Sequence, residues 1–486
     1  MSKKISFSLI ILSVLLSLFI YVPVNAQGPS GDWSTGISCL NQDTEHATNI
    51  TLGFYSEDTG TLVLTYDDTI AAGMSKNYYS SSFAGLGSDF VGSLMVSSSA
   101  PLTCAADQSK SATGTQGDPF RFSAAKGFAA SEAAPVVFVS QIEKAFYNWN
   151  SYIAIQNTTS EAVDVTVTYV DRYGTAYPAA TENLVIPGNG NHVVYLEENS
   201  EIPDDFLGGV KIAADDGTTP LAVVATFYNV GTDYETSQIH AYNGAVAGAS
   251  TLYAPYLVRN YYGYNSGLVV QNVGNTNTSF KITFTFADVD YVYQHDVNLL
   301  PGEVKDFYLP NIAEIDAVDS LAVSQRFGKA VIEAVDTAGD PSGGLLAGNI
   351  NQDNRGGDGI PEERWGQGAT YGAFLSTGAS DKYFISKWMK NDGSFSSGFN
   401  ISNFTETNGS CNISFVDDVD ANYSVDVDAN SFYSIYAPNV SNLDDGYNAG
   451  VLIECTVDVF VITNASANPG SGFYGDSFYQ MNAGTD

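Results

Sequence analysis

Apolar and polar residues alternate with a period of two along several stretches of the chain. The clearest stretch is 163–169, where valine and tyrosine alternate with aspartate and threonine, and similar stretches occur at 50–54, 280–286 and 411–415. Such alternation indicates strands with one buried and one solvated face, as in antiparallel sheets. No stretch keeps a helical period, so we predict an all-β fold with little helix.

Four segments share an aromatic residue, which we call the anchor, a hydroxyl residue two positions later and an asparagine eight positions later. They are Trp33, Thr35 and Asn41; Trp149, Ser151 and Asn157; Tyr264, Ser266 and Asn272; and Phe395, Ser397 and Asn403. The anchors are 116, 115 and 131 residues apart, so each repeat has the size of a small domain. Because an aromatic recurs at this position, we expect Trp149 to be buried against the strand at 163–169.

Short strands separated by glycine-rich turns are typical of a β-sandwich. We therefore predict four tandem antiparallel β-sandwich modules with immunoglobulin-like topology, at 27–130, 131–245, 246–372 and 373–486. A glycine-rich insertion at 351–359, interpreted as a loop, helps to explain the longest spacing. The junctions are short and aromatic, without a long Pro- or Ser-rich linker, which favours modules packed end to end as a semi-rigid rod.

Residues 1–26 have the order of a secretory signal peptide. Lys3 and Lys4 precede an apolar run that ends near Val22, and small residues follow up to Ala26. We predict cleavage after Ala26; the alternative is an uncleaved anchor, because the run is almost long enough to span a bilayer. No second run of spanning length follows, so we expect an extracellular or cell-surface protein whose mature chain is not inserted in the membrane.

Composition narrows the choice of partners. The net charge is −35 at pH 7, with 15% charged and 44% apolar residues. Repulsion between like charges disfavours nucleic acids and anionic membranes, and the apolar content excludes a disordered acidic tail. The aromatic fraction of 13% could supply platforms for sugar stacking, so other surface proteins and extracellular glycans are the candidate partners.

Four cysteines in a secreted chain indicate disulfide bonds. Cys39 and Cys104 lie in the first predicted module, and Cys411 and Cys455 lie in the fourth. Three pairings are possible, and we favour Cys39–Cys104 and Cys411–Cys455, each within one module. The alternation of the flanking strands turns Cys411 and Cys455 inward, where we expect a bridge between two sheets.

The sequence carries no recognisable catalytic motif. The histidines are far apart, and there is no Gly-x-Ser-x-Gly elbow, His-Glu-x-x-His pair or phosphate loop. We expect each histidine at the surface or in a turn; they are His46, His192, His240 and His295. Carboxylates that converge only in the fold could still form a glycosidase site, so a secreted hydrolase is the weakest of three functional hypotheses.

One acidic stretch is a candidate calcium site. Asp418, Asp420 and Asn422 place oxygen ligands at the spacing that opens an EF-hand loop, although the glycine and the final glutamate of that loop are missing. The alternative is a strand whose aspartates face water while Val425 and Val427 face the core. We expect no other cofactor.

The anchor segments of the middle repeats read WNSYIAIQN and YNSGLVVQN, and Ala-Pro strands precede them at 134–138 and 254–258. This arrangement resembles the tandem β-sandwich modules of secreted bacterial surface proteins, and the resemblance covers nearly all of the mature chain. It implies location and architecture only, because that group has no established activity. Our leading hypothesis is a structural or adhesive surface protein without catalytic activity. The second is a glycan-binding protein that uses exposed aromatic residues.

Overall fold

The computed structural model describes residues 33–57, 59–87, 90–110, 112–229, 231, 233–295, 297–357 and 359–485, together with the backbone of 18–24. Most of the expected signal peptide, 1–17 and 25–26, lies outside these residues. Within the described part, no helix combines the length and apolarity that a membrane span requires.

The regular secondary structure of the described chain is almost entirely β-strand. Strands β1–β9 are Leu18–Val24, Trp33–Asn41, Thr48–Ser56, Leu62–Ile70, Ser75–Tyr79, Gly92–Ser98, Leu102–Lys110, Phe120–Lys126 and Phe128–Ala129. Strands β10–β17 are Val136–Lys144, Trp149–Asn157, Val163–Asp171, Glu182–Ile186, Asn191–Tyr195, Phe206–Ala214, Leu221–Asn229 and Ile239–Asn243. Strands β18–β26 are Thr251–Val258, Tyr264–Asn272, Ser279–Phe286, Val289–Gln294, Val304–Tyr308, Phe327–Val335, Leu346–Asn354, Gly368–Gly372 and Phe374–Leu375. Strands β27–β35 are Ser380–Lys390, Phe395–Ser402, Gly409–Phe415, Tyr423–Val427, Phe432–Tyr436, Tyr447–Ala467, Gly475–Asp476, Phe478–Asn482 and Gly484–Thr485.

Short 3-10 turns link some of these strands. They are Ser80–Ser82, Ala130–Glu132, Pro178–Ala180, Leu196–Glu198, Leu309–Asn311, Ala313–Ser320, Val323–Gln325, Glu362–Arg364, Ser376–Gly378, Val419–Ala421 and Ala437–Asn439. The expectation of an all-β chain with little helix is confirmed.

One arrangement of strands recurs in groups one to four, which we define as β1–β9, β10–β17, β18–β26 and β27–β35. The outer sheets have the orders β4-β3-β6-β1, β13-β12-β15-β10, β21-β20-β23-β18 and β30-β29-β32-β27. The inner sheets have the orders β5-β2-β7-β8, β14-β11-β16-β17, β22-β19-β24-β25 and β31-β28-β32-β34. In group four the long strand β32 belongs to both sheets.

The core of each group lies between its two sheets. In group two, Val165 and Val167 of β12 pack with Ile153 and Ile155 of β11 in one buried cluster, while the polar residues between the valines of β12 face outward. The β-sandwich is therefore confirmed. The immunoglobulin-like strand order is wrong, because the first, second, fourth and fifth strands of that fold share a sheet, whereas here the first strand shares its sheet with the third, fourth and sixth.

The groups close into a ring. The last strands of the inner sheets contact one another in cyclic order, β8 with β17, β17 with β25, β25 with β34, and β34 with β8. Gly475–Asp476 of group four also pairs in parallel with Phe120 and Arg121 of group one. The predicted rod is wrong, because its two ends would be far apart. Consecutive groups therefore pack side by side through their inner sheets, and not end to end as the short junctions had suggested.

The disulfides staple neighbouring strands. The structure joins Cys39 of β2 to Cys104 of β7 and Cys411 of β29 to Cys455 of β32. Each pair occupies directly opposed positions in one sheet, with Cα atoms 4.1 and 4.0 Å apart. The expected bridge between two sheets is therefore wrong, since each bond links adjacent strands of a single sheet.

The repeated asparagine holds the turn after the second strand of each group through hydrogen bonds to backbone groups. Asn157 is fully buried, and its Nδ2 donates to the carbonyl oxygens of Glu161 at 2.7 Å and Ile186 at 3.2 Å. Its Oδ1 accepts from the backbone N–H of Thr159 at 2.9 Å. Equivalent bonds are made by Asn41, Asn272 and Asn403. Only a side chain with both a donor and an acceptor can satisfy this corner.

Candidate functional site

A cavity of about 740 Å³ opens where the four groups meet. Its wall includes the segments that follow the innermost strands, at 127–132, 244–247, 373–378 and 483–485. These segments hold equivalent positions in the four groups, because each follows the last strand of an inner sheet. The cavity is thus a shared feature of the ring and belongs to no single group.

The wall of this axial cavity is mostly apolar and carries no net charge. Lys126 and Glu132 form an ion pair with each other. Asn243 donates from Nδ2 to the carbonyl oxygen of Lys126 at 2.8 Å, and Asn482 donates likewise to Gly372 at 3.3 Å. Much of the remaining wall is glycine, alanine and backbone. Such a surface does not favour a charged ligand.

The axial cavity does not present paired carboxylates. Among the described residues that line it, Glu132 supplies the one carboxylate, and that group is held by Lys126. A glycosidase needs two carboxyl groups flanking the bond to be cleaved. The described wall of this cavity therefore lacks the arrangement on which the hydrolase hypothesis depends.

A buried carboxylate ties three groups together near the axis. Asp476 of group four accepts backbone N–H bonds from Ile239 of group two at 2.8 Å and Gly368 of group three at 2.9 Å. Burial raises the pKa of Asp476 well above its usual value, although these N–H donors and Arg121 act in the opposite direction. Arg121 of group one donates from Nε to Ser237 Oγ at 2.7 Å.

His240 lies in the same buried region, contrary to the expectation of a surface or turn position. Its Nδ1 is 3.1 Å from Thr370 Oγ1 of group three, and burial lowers the pKa of His240 to about 3. The imidazole is therefore neutral at physiological pH. No pattern around His240 in the sequence indicates this burial, because the covering residues belong to a neighbouring group.

A second polar network lies between groups two and three. Gln141 donates from Nε2 to Glu143 Oε1 at 2.8 Å, and its Oε1 accepts from Asn349 and Asn351 at 2.8 and 2.7 Å. Burial raises the pKa of Glu143 to about 8, with the bond from Gln141 acting against it and Asp306 adding to it. Asn351 belongs to β24, so the insertion predicted as a loop begins within a strand.

Group two carries an exposed aromatic patch, which we define as Phe146, Tyr147, Arg172 and Tyr173. Tyr147 and Tyr173 are 80% and 74% exposed. The Arg172 guanidinium lies over two rings, 5.6 Å from the centre of Phe146 and 5.5 Å from that of Tyr173. Phe146 also meets Tyr147 edge to face at 4.7 Å. Exposed rings flanking a hydrogen-bond donor suit stacking on a sugar.

The anchors serve contacts at the edges of the groups. Trp149 is half-buried instead of buried, and its ring lies 5.6 Å from Phe227 and 5.1 Å from His240. Trp33 of group one packs in a cluster with Tyr152 of group two. The expectation of a buried Trp149 is wrong in degree, because the side chain is partly exposed, although it packs against the core cluster that contains Val163, Val165 and Val167.

The residues of the candidate calcium site surround the 3-10 turn Val419–Ala421. Asp420 and Asn422 are exposed, and Asn422 Oδ1 accepts from the backbone N–H of Phe415 at 2.7 Å. The described residues contain no group of three or more His, Cys, Asp or Glu side chains placed to hold a metal ion. Val425 is buried in the core, as the solvated-strand alternative requires. Calcium binding through Asp418, Asp420 and Asn422 remains a prediction.

Comparisons with known proteins give weak likenesses. No protein-family model matches the chain, and no curated protein matches it. Thermotoga maritima 1070 is 14% identical over 23% of this chain and 93% of its own, with a TM-score of 0.20. The Anabaena sensory rhodopsin transducer is 16% identical over 19% and 93%, with a TM-score of 0.16. A tetra-tandem repeat of a large adhesion protein is 12% identical over 91% and 92%, with a TM-score of 0.12.

Further structural neighbours are an adhesin and two pilins. All these TM-scores are far below 0.5, so the likenesses carry no argument about function.

Proposed function

We propose that the protein is a secreted, non-catalytic surface protein with a structural or adhesive role, built from four β-sandwich modules closed into one ring. The modules are 27–130, 131–245, 246–375 and 376–486. The third boundary moves from 372 to 375 because Phe374–Leu375 pairs with β18 of group three. The observation that carries the proposal is the shared axial cavity, to which all four groups contribute equivalent segments.

Buried contacts between groups support a rigid assembly. Lys387 of group four donates to Asp107 of group one at 3.1 Å, and both side chains are largely buried. The Asp476 carboxylate also joins group four to groups two and three. Buried polar contacts of this kind specify one arrangement, because any other would leave them unpaired. Modules joined only by flexible linkers would not require such contacts.

The disulfides support a role outside the cell. They lie in groups one and four, whose contact closes the ring. Such bonds persist in oxidising compartments and stabilise a fold by about 2–4 kcal/mol each.

Small-angle scattering of the secreted protein tests the ring. A compact chain of about 460 residues has a radius of gyration of about 23 Å. Four modules of about 13 Å each, placed end to end, would give roughly 40 Å. A value near the larger figure would contradict the ring, and failure of a labelled antibody to detect the protein on intact cells or in the medium would contradict the location.

The aromatic patch supports glycan binding as a second candidate function. Tyr147 and Tyr173 present their rings to solvent, and the Arg172 guanidinium lies 5.5 Å from the centre of the Tyr173 ring. Binding to a panel of neutral polysaccharides should weaken at least tenfold in Tyr147→Ala and Tyr173→Ala. Tyr262→Ala, an exposed tyrosine at the equivalent hairpin of group three, is the matched control. Equal binding by all the proteins would remove this candidate.

A further inference from the structure

The first strand of group one comes from the segment expected to be cleaved. β1 pairs with β6 over seven residues, from Leu18 opposite Ser98 to Val24 opposite Gly92, and two of its residues pair with β9. In the other groups β10, β18 and β27 hold the same place, and all three lie downstream of Ala26. Cleavage there would leave group one without its first strand. We call the vacated position the first-strand slot.

Emptying the slot would expose part of the core of group one. Leu94 and Val96 of β6 are completely buried and belong to the main cluster of the group. The backbone groups of β6 that now pair with β1 would also lose their partners. An exposed strand edge beside apolar side chains is a template for another strand.

The opposite wall of the slot is the inner sheet of group two, since β1 contacts β11 and β16. Residues of β6 alternate between the two walls. Leu94 and Val96 face the core, whereas Met95 packs against a cluster that contains Ala222 and Val224 of β16. Ser93, two residues before Met95, therefore faces group two as well, and its hydroxyl donates to the carbonyl oxygen of Asn189 at 2.5 Å.

Two buried amides on this wall have no hydrogen-bond partner. Gln156 and Asn191 are opposed residues of β11 and β14, both are 0% exposed, and neither the nitrogen nor the oxygen of either amide is bonded. Gln156 shares the strand face of Tyr152, whose hydroxyl donates to Gln108 of group one at 3.1 Å. Both amides therefore face group one, close to Asn189 and the end of the slot. An unpaired buried amide is costly and points to a missing partner.

We infer that in the mature protein the first-strand slot receives an extended strand of about seven residues from a second, different polypeptide. This inference rests on the proposed secretion with cleavage after Ala26. The strand carries apolar side chains opposite Leu94 and Val96 and an amide or hydroxyl side chain opposite Ser93. Opposed residues of an antiparallel pair point to the same face, so that polar side chain meets Gln156 and Asn191. In groups two, three and four the first strands β10, β18 and β27 are already paired within their own sheets. A second copy of the cleaved chain therefore has no unpaired first strand that could enter the slot.

The probe is a synthetic peptide with the sequence of residues 18–24 followed by a lysine tail, and the partner is the secreted protein. Amino-terminal sequencing first establishes that the protein begins at Gln27. The peptide should bind one to one and, at a hundred times its Kd, raise the melting temperature by about 3 °C. A peptide with proline in place of Ile20, which lies opposite Val96, loses a ladder N–H and should bind at least tenfold more weakly.

A second peptide tests the polar position. Replacing Pro23 by asparagine, opposite Ser93, should strengthen binding about fivefold, because the buried amides gain a partner. This gain should vanish on a Gln156→Leu variant, which still binds the parent peptide. A protein made from Leu18 onward fills its own slot and should bind neither peptide.

The outcomes separate the inference from the function on which it rests. A secreted protein that begins before Leu18 would overturn the proposed cleavage, and the slot would stay filled. A protein that begins at Gln27 but ignores the peptides would overturn the inference alone. Self-association that the peptide dissolves would also overturn it, because the occupant would then be a second copy.

Discussion

Replacing Lys387 by methionine tests the contact that closes the ring. The Lys387 ammonium of group four lies 3.1 Å from the Asp107 carboxylate of group one, and the side chains are only 11% and 13% exposed. Methionine keeps the length of the side chain and removes its charge, so the Asp107 carboxylate stays buried without a counter-charge. Breaking a buried ion pair in this way costs about 3–5 kcal/mol, a large share of the stability of a domain.

The pH dependence of this penalty follows from the pKa of Lys387. Burial lowers that pKa, but Asp107, Tyr479 and Tyr79 raise it by more, so it lies above its ordinary value. A base whose folded pKa is raised contributes stability that is complete below its unfolded pKa of about 10.4 and is lost at higher pH. The penalty of Lys387→Met should therefore be constant between about pH 6 and pH 9.

Equilibrium unfolding in denaturant measures the effect, with Asp107→Asn and the double variant completing a cycle. The double variant should be more stable than Lys387→Met, because no unpaired charge remains. Lys382→Met on the same strand is the control; its ammonium lies 3.6 Å from Glu454 in a half-exposed pair, which is worth less than about 1 kcal/mol. If Lys387→Met cost no more than Lys382→Met, groups one and four would not touch in solution and the reasoning would fail.

Three further predictions concern single features. Asn157→Ala should lower the free energy of unfolding by about 3 kcal/mol, because it leaves backbone groups of a buried corner unpaired, whereas Asn183→Ala on the exposed face of β13 should be nearly silent. Burial raises the pKa of Glu143 to about 8, so the folded protein keeps a proton that the unfolded chain releases. This contribution to stability should be lost as the pH rises from about 4.5 to 8. Glu143→Gln should make the slope of stability against pH less negative, while the share that comes from the raised pKa of Asp476 stays. Millimolar calcium should raise the melting temperature of the parent protein but not that of Asp418→Asn or Asp420→Asn; no shift in the parent would favour the solvated-strand alternative.

The strands of the outer sheets were predictable because one of their faces meets water. β12 shows this plainly, with buried residues at every second position. The inner sheets carry a different signal. All nine residues of β16, Leu221–Asn229, are buried, because its second face is covered by another group. A near-continuous apolar run marks a strand that is buried on both faces, so this run could have warned against a rod.

The role of the anchors could not be predicted, since an aromatic residue in a sequence indicates burial but not what covers it. Tyr264 of group three lies 5.6 Å from Phe478 of group four, and Phe395 of group four lies 5.8 Å from Phe122 of group one. Three anchors, Trp33, Tyr264 and Phe395, thus meet the group that follows them around the ring. The ring contacts of Trp149, with Phe227 and His240, lie within group two. The periodicity of a sequence indicates which face of a strand is buried in its own sheet, whereas the contacts of those three anchors form only because the four groups close into a ring.

The interfaces of the ring differ in chemistry, although the modules repeat. Going round from the interface of groups one and two, the polar pairs are Arg121 with Ser237, Gln141 with Asn349, Lys329 with Asn403, and Lys387 with Asp107. A group placed against the wrong neighbour would bury a charge without its partner, which costs several kcal/mol. Because the four groups are linked in one chain, each group is present at a high local concentration beside its neighbours, so a small interface is sufficient. The different polar pairs at the four interfaces then determine which groups meet. They favour the closed ring over open arrangements of modules and over mixed assemblies of several copies.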